Sequence, residues 1–328
     1  MFAAGKDKKN SYICGCAYRI GVFNLLKMRK FGVKILRGLV RVVGRLPLKV
    51  HYWFAGFITW VLRDVVKYRY DVVMINLARS FPEKKYWELT PIADEFYKHL
   101  GELFVEAIWF GASDYKRLYK SGIVTITNPE VVNRVFENAP NTTVLFSHCG
   151  NWELLGGIIG YRTATGEKLA FEEEHIRVVY KELHSKFSDE FFRLNRVSAL
   201  ERMGVECTVE SMQILRYAIK NRNEKKIYVY IADQFPYASL NYEVGQFLNQ
   251  HTLGMLGGAG VAHKLGHGVL YMKMKRVERG RYEMTFETIC DDASTMSPED
   301  MMRKYYDLLE KEIRETPHNW LWTHKRWK

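Results

Sequence analysis

The sequence predicts an α/β layer fold: a mainly parallel central sheet flanked by helices, with an amino-terminal membrane-associated helix. Three observations predict it. Short apolar runs of strand length recur through the second half of the 328 residues, separated by stretches with helical spacing. A strongly basic arm precedes an aromatic-rich helical segment. Hydrophobic residues make up 47% of the chain and aromatics 14%, which is enough to bury a full core and excludes a disordered chain.

The basic arm spans residues 1–44. Through Lys49 there are twelve Lys and Arg against one acid, Asp7, so almost all of the net charge of +12 lies at this end. Charge this localised calls for an anionic partner, either nucleic acid or an anionic membrane leaflet. Residues 1–27 differ in character from the rest of the chain, which makes Met28 a candidate start. Cys14 and Cys16 form a C-x-C, but no second Cys/His pair at zinc spacing accompanies it, so no metal is expected. The five cysteines form no disulfide framework for a chain of this size and fit a reducing compartment.

Residues 45–80 decide between the two partners. His51 to Leu62 is an uncharged run rich in Trp, Tyr and Phe. It is short of the roughly 20 residues a bilayer span needs. Aromatics flanked by Lys and Arg suit an interfacial helix, with rings at headgroup depth and cations on phosphates. The partner expected here is anionic membrane lipid. No nucleic-acid-binding motif accompanies the charge, so no nucleic acid is expected.

Residues 81–328 form the α/β domain. Residues 83–120 show apolar positions at helical spacing, one or two helices. Strands are expected over 142–148, 175–182, 225–234, 266–277 and 282–289. Helices are expected over 152–162, 186–203 and 209–220. A last helix over 297–317 opens with Ser297 and Pro298, a cap and then a residue preset for the first turn.

The stretch "TVLFSHCGNWELLGGIIG", residues 143–160, holds the candidate chemistry. Sites in such sheets lie off the carboxyl ends of strands, and His148 closes the run 144–147. Cys149, Gly150 and Asn151 make a turn, and Asn151 is a good N-cap. Glu153 falls in the first helical turn. On one straight helix residues five apart point about 140° away from each other, so His148 and Glu153 meet only if the turn separates them. A carboxylate beside a histidine fixes its tautomer and stabilises the imidazolium. His148 is then a general base, with Glu153 orienting it. No G-x-S-x-G is present, so the proton it takes belongs to a substrate hydroxyl. Cys149 would point to the opposite face of an extended strand from its neighbour. HxxxxE also lacks the H-E-x-x-H spacing of a zinc site. Asp233 and Gln234 end another apolar run, where sites cluster. Arg177 and Lys181 are cations on or just after a strand, candidates for binding an anionic group. Trp320, Trp322 and Trp327, interleaved with Lys325, Arg326 and Lys328, read as an interfacial anchor or a packed tail.

"SHCGNWELLGG" resembles the H-x-G-N-W-E signature of the bacterial lipid A late acyltransferases, within the lysophospholipid-acyltransferase-like superfamily. Here it reads His148-Cys149-Gly150-Asn151-Trp152-Glu153. "LARSFPEK", "VVYKELHSKFSDEFFRLNR", "YIADQ" and "NWLWTHKRWK" resemble further blocks of that family, and the similarity covers roughly residues 45–328. Two departures stand out. Lys181 comes after Tyr180 where the family often has Arg, and Phe247-Leu248-Asn249 stands where F-F-G and a Pro-rich turn are usual. The resemblance implies transfer of a fatty acyl chain from an acyl-carrier-protein thioester to a hydroxyl of a lipid A precursor, without a cofactor. It places that reaction at the cytoplasmic face of the inner membrane. The same chemistry on a lysophospholipid, aminolipid or glycolipid is the alternative. His148 would deprotonate the hydroxyl. Amides at the helix start (Gly150, Trp152) or a nearby cation would stabilise the oxyanion. Asn151, Arg177, Lys181, Asp233 and Gln234 would contact substrate.

Overall fold

A computed structural model describes residues 28–200, 203–236 and 241–327. Cys14, Cys16 and the first part of the basic arm lie outside the described residues. Residues 28–44 are helical (α1) and lead through Pro47 into α2 (Leu48–Trp60), which runs on into a wider π-type turn at Val61–Val65. Helices α3 (Tyr70–Ser80), α4 (Tyr86–Phe110) and α5 (Tyr115–Ser121) come next. Among the described residues no helix is long and apolar enough to cross a membrane.

α2 lies along α4 because Gly101 leaves room for it. A Cβ there would stand 2.8 Å from the Ala55 carbonyl. Two polar contacts fix the crossing: Arg63 Nε donates to Asp94 at 2.8 Å, and the Tyr52 hydroxyl donates to Glu106 at 2.8 Å. The outer face of this helical layer is apolar. Trp53, Phe57 and Trp60 are all more than half exposed, and so are Phe31, Leu39 and Val42 of α1.

The chain then builds its sheet from β1 (Val124–Ile126), β2 (Thr142–Phe146), β3 (Arg162–Thr163), β4 (Ile176–Tyr180), β5 (Thr208–Glu210), β6 (Ile227–Ile231), β9 (Gly268–Glu278) and β10 (Arg281–Cys290). Their order is β3-β1-β10-β9-β2-β6-β4-β5. Every neighbouring pair is parallel except the β9–β10 hairpin. β7 (Asn241–Phe247) and β8 (Gln250–Met255) form a separate hairpin. Its two turn residues, Leu248 and Asn249, both have positive φ (50° and 59°), as a type I′ turn requires. The Leu248 N–H bonds to Glu310, and the Asn249 amide bonds to the Ser80 carbonyl, which holds this unfavourable leucine conformation in place.

Alternation along the strands separates two cores. Leu145, Tyr228, Tyr230, Val269 and Tyr271 face α3, α4, α9 (Gly257–Leu265) and α10 (Pro298–Glu315). Val144, Phe146, Val229, Leu270 and Met272 face α6 (Pro129–Asn138) and the segment after β2. Each fully buried side chain of this size contributes roughly 1.5–3 kcal/mol.

The expected strands correspond to β2, β4, β6, β9 and β10, and Ser297 caps α10 through the Asp300 N–H. Three expected helices differ. Residues 152–162 form a 3₁₀ segment, Trp152–Gly160, and within it Gly156 is packed so closely on the Arg196 carbonyl that a Cβ there would collide. The helix expected over 186–203 is α7 and ends at Arg196. Residues 209–220 divide into β5 and α8 (Ile214–Lys220), since Thr208–Glu210 joins the sheet beside β4.

Candidate active site

β2 is buried between β9 and β6 and delivers His148 to the carboxyl edge of the sheet. The Ser147 hydroxyl accepts the Cys149 N–H (3.2 Å) and bends the chain there. Gly150 completes the turn at φ +62°. A Cβ at this position would come within 2.5 Å of the Met274 carbonyl, so only glycine fits. Its N–H donates to the Asn319 carbonyl (3.0 Å), and its carbonyl accepts from His99 Nε2 (3.0 Å). Burial, then the charge of Arg276, lowers the His99 pKa to about 4, so this histidine is neutral.

The carboxylate on His148 is Asp233. Phe146 pairs with Ile231, so two residues further on His148 comes level with Asp233. Asp233 Oδ1 lies 2.7 Å from His148 Nδ1. Oδ2 accepts the His148 N–H (3.0 Å) and Trp320 Nε1 (2.8 Å). Burial alone would raise the Asp233 pKa, but the His148 charge, its two hydrogen bonds and the Trp320 donor outweigh this and leave it at about 2. An ionised Asp233 keeps the proton on Nδ1 and the lone pair on Nε2. The Gln234 amide stands 3.1 Å from Nε2. The Trp152 ring meets the imidazole edge-to-face at 4.9 Å.

Glu153 takes a different partner from the one expected. Among the described residues no hydrogen bond joins it to His148. Its carboxylate clamps Arg196 in bidentate fashion (2.8 and 2.6 Å) and accepts Trp152 Nε1 at 3.0 Å. The carboxylate hydrogen-bonded to the ring is Asp233, because Asp233 is the acid that strand register puts level with it. Glu153 instead fixes Trp152 and Arg196 beside it. The guanidinium of Arg196 remains part-exposed, 44% at the side chain.

The other expected residues divide. Asp233 is not a substrate contact, since it is 2% exposed and both its oxygens are engaged. Asn151 is the expected cap, accepting the Glu153 N–H (3.1 Å). Its amide donates to Glu106 (2.7 Å) and it is fully buried, which removes it from substrate contact. The Gly150 N–H is committed to Asn319. The Trp152 N–H, at the first position of its 3₁₀ segment, has no hydrogen-bond partner among the described residues. Arg177 lies at the amino end of β4, level with Thr143 and so roughly 15 Å of strand from His148. It donates to Tyr217 (2.6 Å) and to the Glu174 and Ile176 carbonyls, and takes no part in the site. Lys181 comes directly after β4 at the carboxyl edge and is exposed; Gln234 touches His148 directly. Sequence reasoning missed Arg196, Asn319 and Glu106. Trp320 and Trp322 are 2% and 0% exposed, which makes the carboxyl-terminal stretch a packed tail. Among the described residues no cluster of His, Cys, Asp and Glu could hold a metal ion.

The match of one family model decides the kinship: bacterial lipid A biosynthesis acyltransferase, over residues 22–328. The chain belongs to this family. It is thus an acyltransferase by family, and the match reaches further toward the amino terminus than residue 45, where the resemblance in motifs begins. None of the curated proteins compared with the chain matches it.

Behind the candidate site, Glu312 is buried among Tyr271, whose hydroxyl donates to it, and Cys149. Burial above all raises its pKa to about 8. An acid with a raised folded pKa stabilises fully below its unfolded value of about 4.5 and loses that contribution as pH rises through 8. Between pH 6.5 and 8.5 the melting temperature is expected to fall. In Glu312→Gln it falls less, leaving the variant more stable at pH 8.5 by on the order of 1 kcal/mol or more. Parallel melting curves would refute the assignment.

Proposed function

We propose that the protein transfers a fatty acyl chain from an acyl-carrier-protein thioester to a hydroxyl of a lipid A precursor, with His148 as general base. The observation that carries this reading is the Asp233–His148 pair at the carboxyl edge of the sheet, which leaves Nε2 as the basic nitrogen. The acceptor hydroxyl takes the place of the Gln234 amide at Nε2 and gives up its proton there as its oxygen attacks the thioester carbonyl carbon. Asp233 stabilises the imidazolium that forms. The Trp152 N–H and the Arg196 guanidinium, which Glu153 holds, are the donors assigned here to the developing oxyanion. Collapse of the intermediate breaks the carbon–sulfur bond, and the departing thiolate takes the proton from Nε2, which restores the neutral histidine. Cys149 is no nucleophile: it is fully buried, and burial pushes its thiol pKa far up. Lys181 stands at the edge where acceptor phosphates would enter.

Membrane association belongs to the same reading. The exposed aromatics of α2 and the flanking cations support attachment to anionic lipid at the cytoplasmic face of the inner membrane. The test is mass spectrometry of lipid products after incubating the detergent-solubilised protein with acyl-carrier-protein thioesters and a tetra- or penta-acylated precursor. The expected product gains the mass of one acyl chain and loses it on mild alkaline hydrolysis, as an ester does. No gain with any donor would reject this acceptor.

A further inference from the structure

Arg37 and Arg41 of α1 and Arg45, directly after its last turn, follow one another at a spacing of four. With the Gly111–Asp114 turn and Ser198 they line a cavity of about 180 Å³. Close packing fixes the arrangement. A Cβ on Gly44 would stand 2.6 Å from the Ile108 carbonyl, and one on Gly111 would stand 2.8 Å from Val40, so α1 sits directly on the end of α4. Among the described residues none of the three arginines is ion-paired with a carboxylate. The one acid in the cavity, Asp114, is occupied in part by accepting the Arg117 N–H (2.7 Å) as the cap of α5. Arg117 itself turns to the Ala112 and Leu46 carbonyls and stacks on Trp109. Burial, then the charge of Arg41, lowers the Arg37 pKa, the mark of cations crowded together without an anion.

With Arg117, whose charge acts on both Asp114 and Arg45, four cations stand against one carboxylate, a positive surplus that suits a phosphate monoester at about −1.5 to −2 near neutral pH. Guanidinium forks suit its three terminal oxygens. α1 exposes Phe31, Ile35, Leu39 and Val42 along a separate stripe, and Leu46 just beyond it is exposed as well. A helix with an apolar stripe of this kind lies in a lipid interface, with its cations near the headgroups. We propose that this cavity binds a phosphate monoester carried on a lipid. It lies outside the His148 centre, and binding there is independent of acyl transfer.

The test is flotation of the full chain with phosphatidylcholine vesicles doped with phosphatidic acid, a monoester, or with phosphatidylglycerol, a diester, at equal surface charge. The wild type is expected to prefer phosphatidic acid. The triple variant Arg37→Gln, Arg41→Gln, Arg45→Gln is expected to lose that preference and to bind phosphatidic acid vesicles more than about tenfold more weakly. A charge-matched control, Lys30→Gln, Lys34→Gln, Lys49→Gln, should retain the preference, as should His148→Ala. Should the triple variant melt early, Arg41→Gln alone, at an exposed position, is expected to show a loss of about fivefold. Equal losses in the two triple variants, or a wild type indifferent to the ester, would overturn the proposal. So would millimolar inorganic phosphate abolishing the preference, which would assign the cavity to the free anion.

Discussion

Replacing Asp233 by asparagine is expected to lower kcat for acyl transfer by about 10²–10⁴-fold while KM for donor and acceptor moves little. The asparagine retains the shape, but its amide can donate to Nδ1, which favours the proton on Nε2 and removes the base from the side that faces substrate. Three donors now converge on the carboxylate: the His148 ring, the His148 N–H and Trp320 Nε1. An amide nitrogen cannot accept from them, so part of this cradle is lost as well. Thermal melting separates that structural cost from the kinetic one. The depressed Asp233 pKa adds a pH signature: its stabilisation is present above the unfolded value of 3.8 and is lost as pH falls toward 2. In Asp233→Asn this acid-side loss should shrink.

Replacing His148 by alanine is expected to cost at least as much, since it removes the base itself. The ring packs on Trp152 and its side chain is 14% exposed at the rim of the sheet, and melting curves check that the fold persists without it. Membrane association should be unchanged, because α1 and α2, with their exposed apolar side chains, are separate from the ring. Near-normal turnover by His148→Ala would end the general-base assignment.

Much of the fold was legible because its signals are local. The apolar runs that become β2, β4 and β6 carry their own length and β-branched content, and α10 announces itself through Ser297 and Pro298. The 3₁₀ geometry after Asn151 was not legible: apolar residues and glycines at this spacing read equally as an α-helix, and the Arg196 carbonyl packed on Gly156 belongs to a residue forty positions away. β5 was hidden inside a helical pattern, since three residues gain strand geometry only from pairing with β4. β1, α6 and the β7–β8 hairpin went unread, although Pro129 at the start of α6 is a usable signal.

The site shows the same division. His148 was found because it ends a strand, and Asp233 and Gln234 because they end another. That β2 and β6 are neighbours is a fact of sheet order, reached only after the chain passes through β3, β4 and β5. Without it the nearest acid in sequence, Glu153, is paired with His148, where register places Asp233. Arg177 looked available because a charged strand residue reads as an exposed edge. In the structure its guanidinium is enclosed by Tyr217 and two carbonyls at the far end of β4.

The central claim is that Asp233 acts through His148, and a double-mutant cycle tests it most directly. Single-turnover acyl transfer would be measured for the wild type, Asp233→Asn, His148→Ala and the double variant. Asp233→Asn is expected to cost about 10²–10⁴-fold when His148 is present and almost nothing when it is absent, so the two losses fail to add. Losses that multiply in full would mean that Asp233 and His148 act independently, and the pair would not be the catalytic unit.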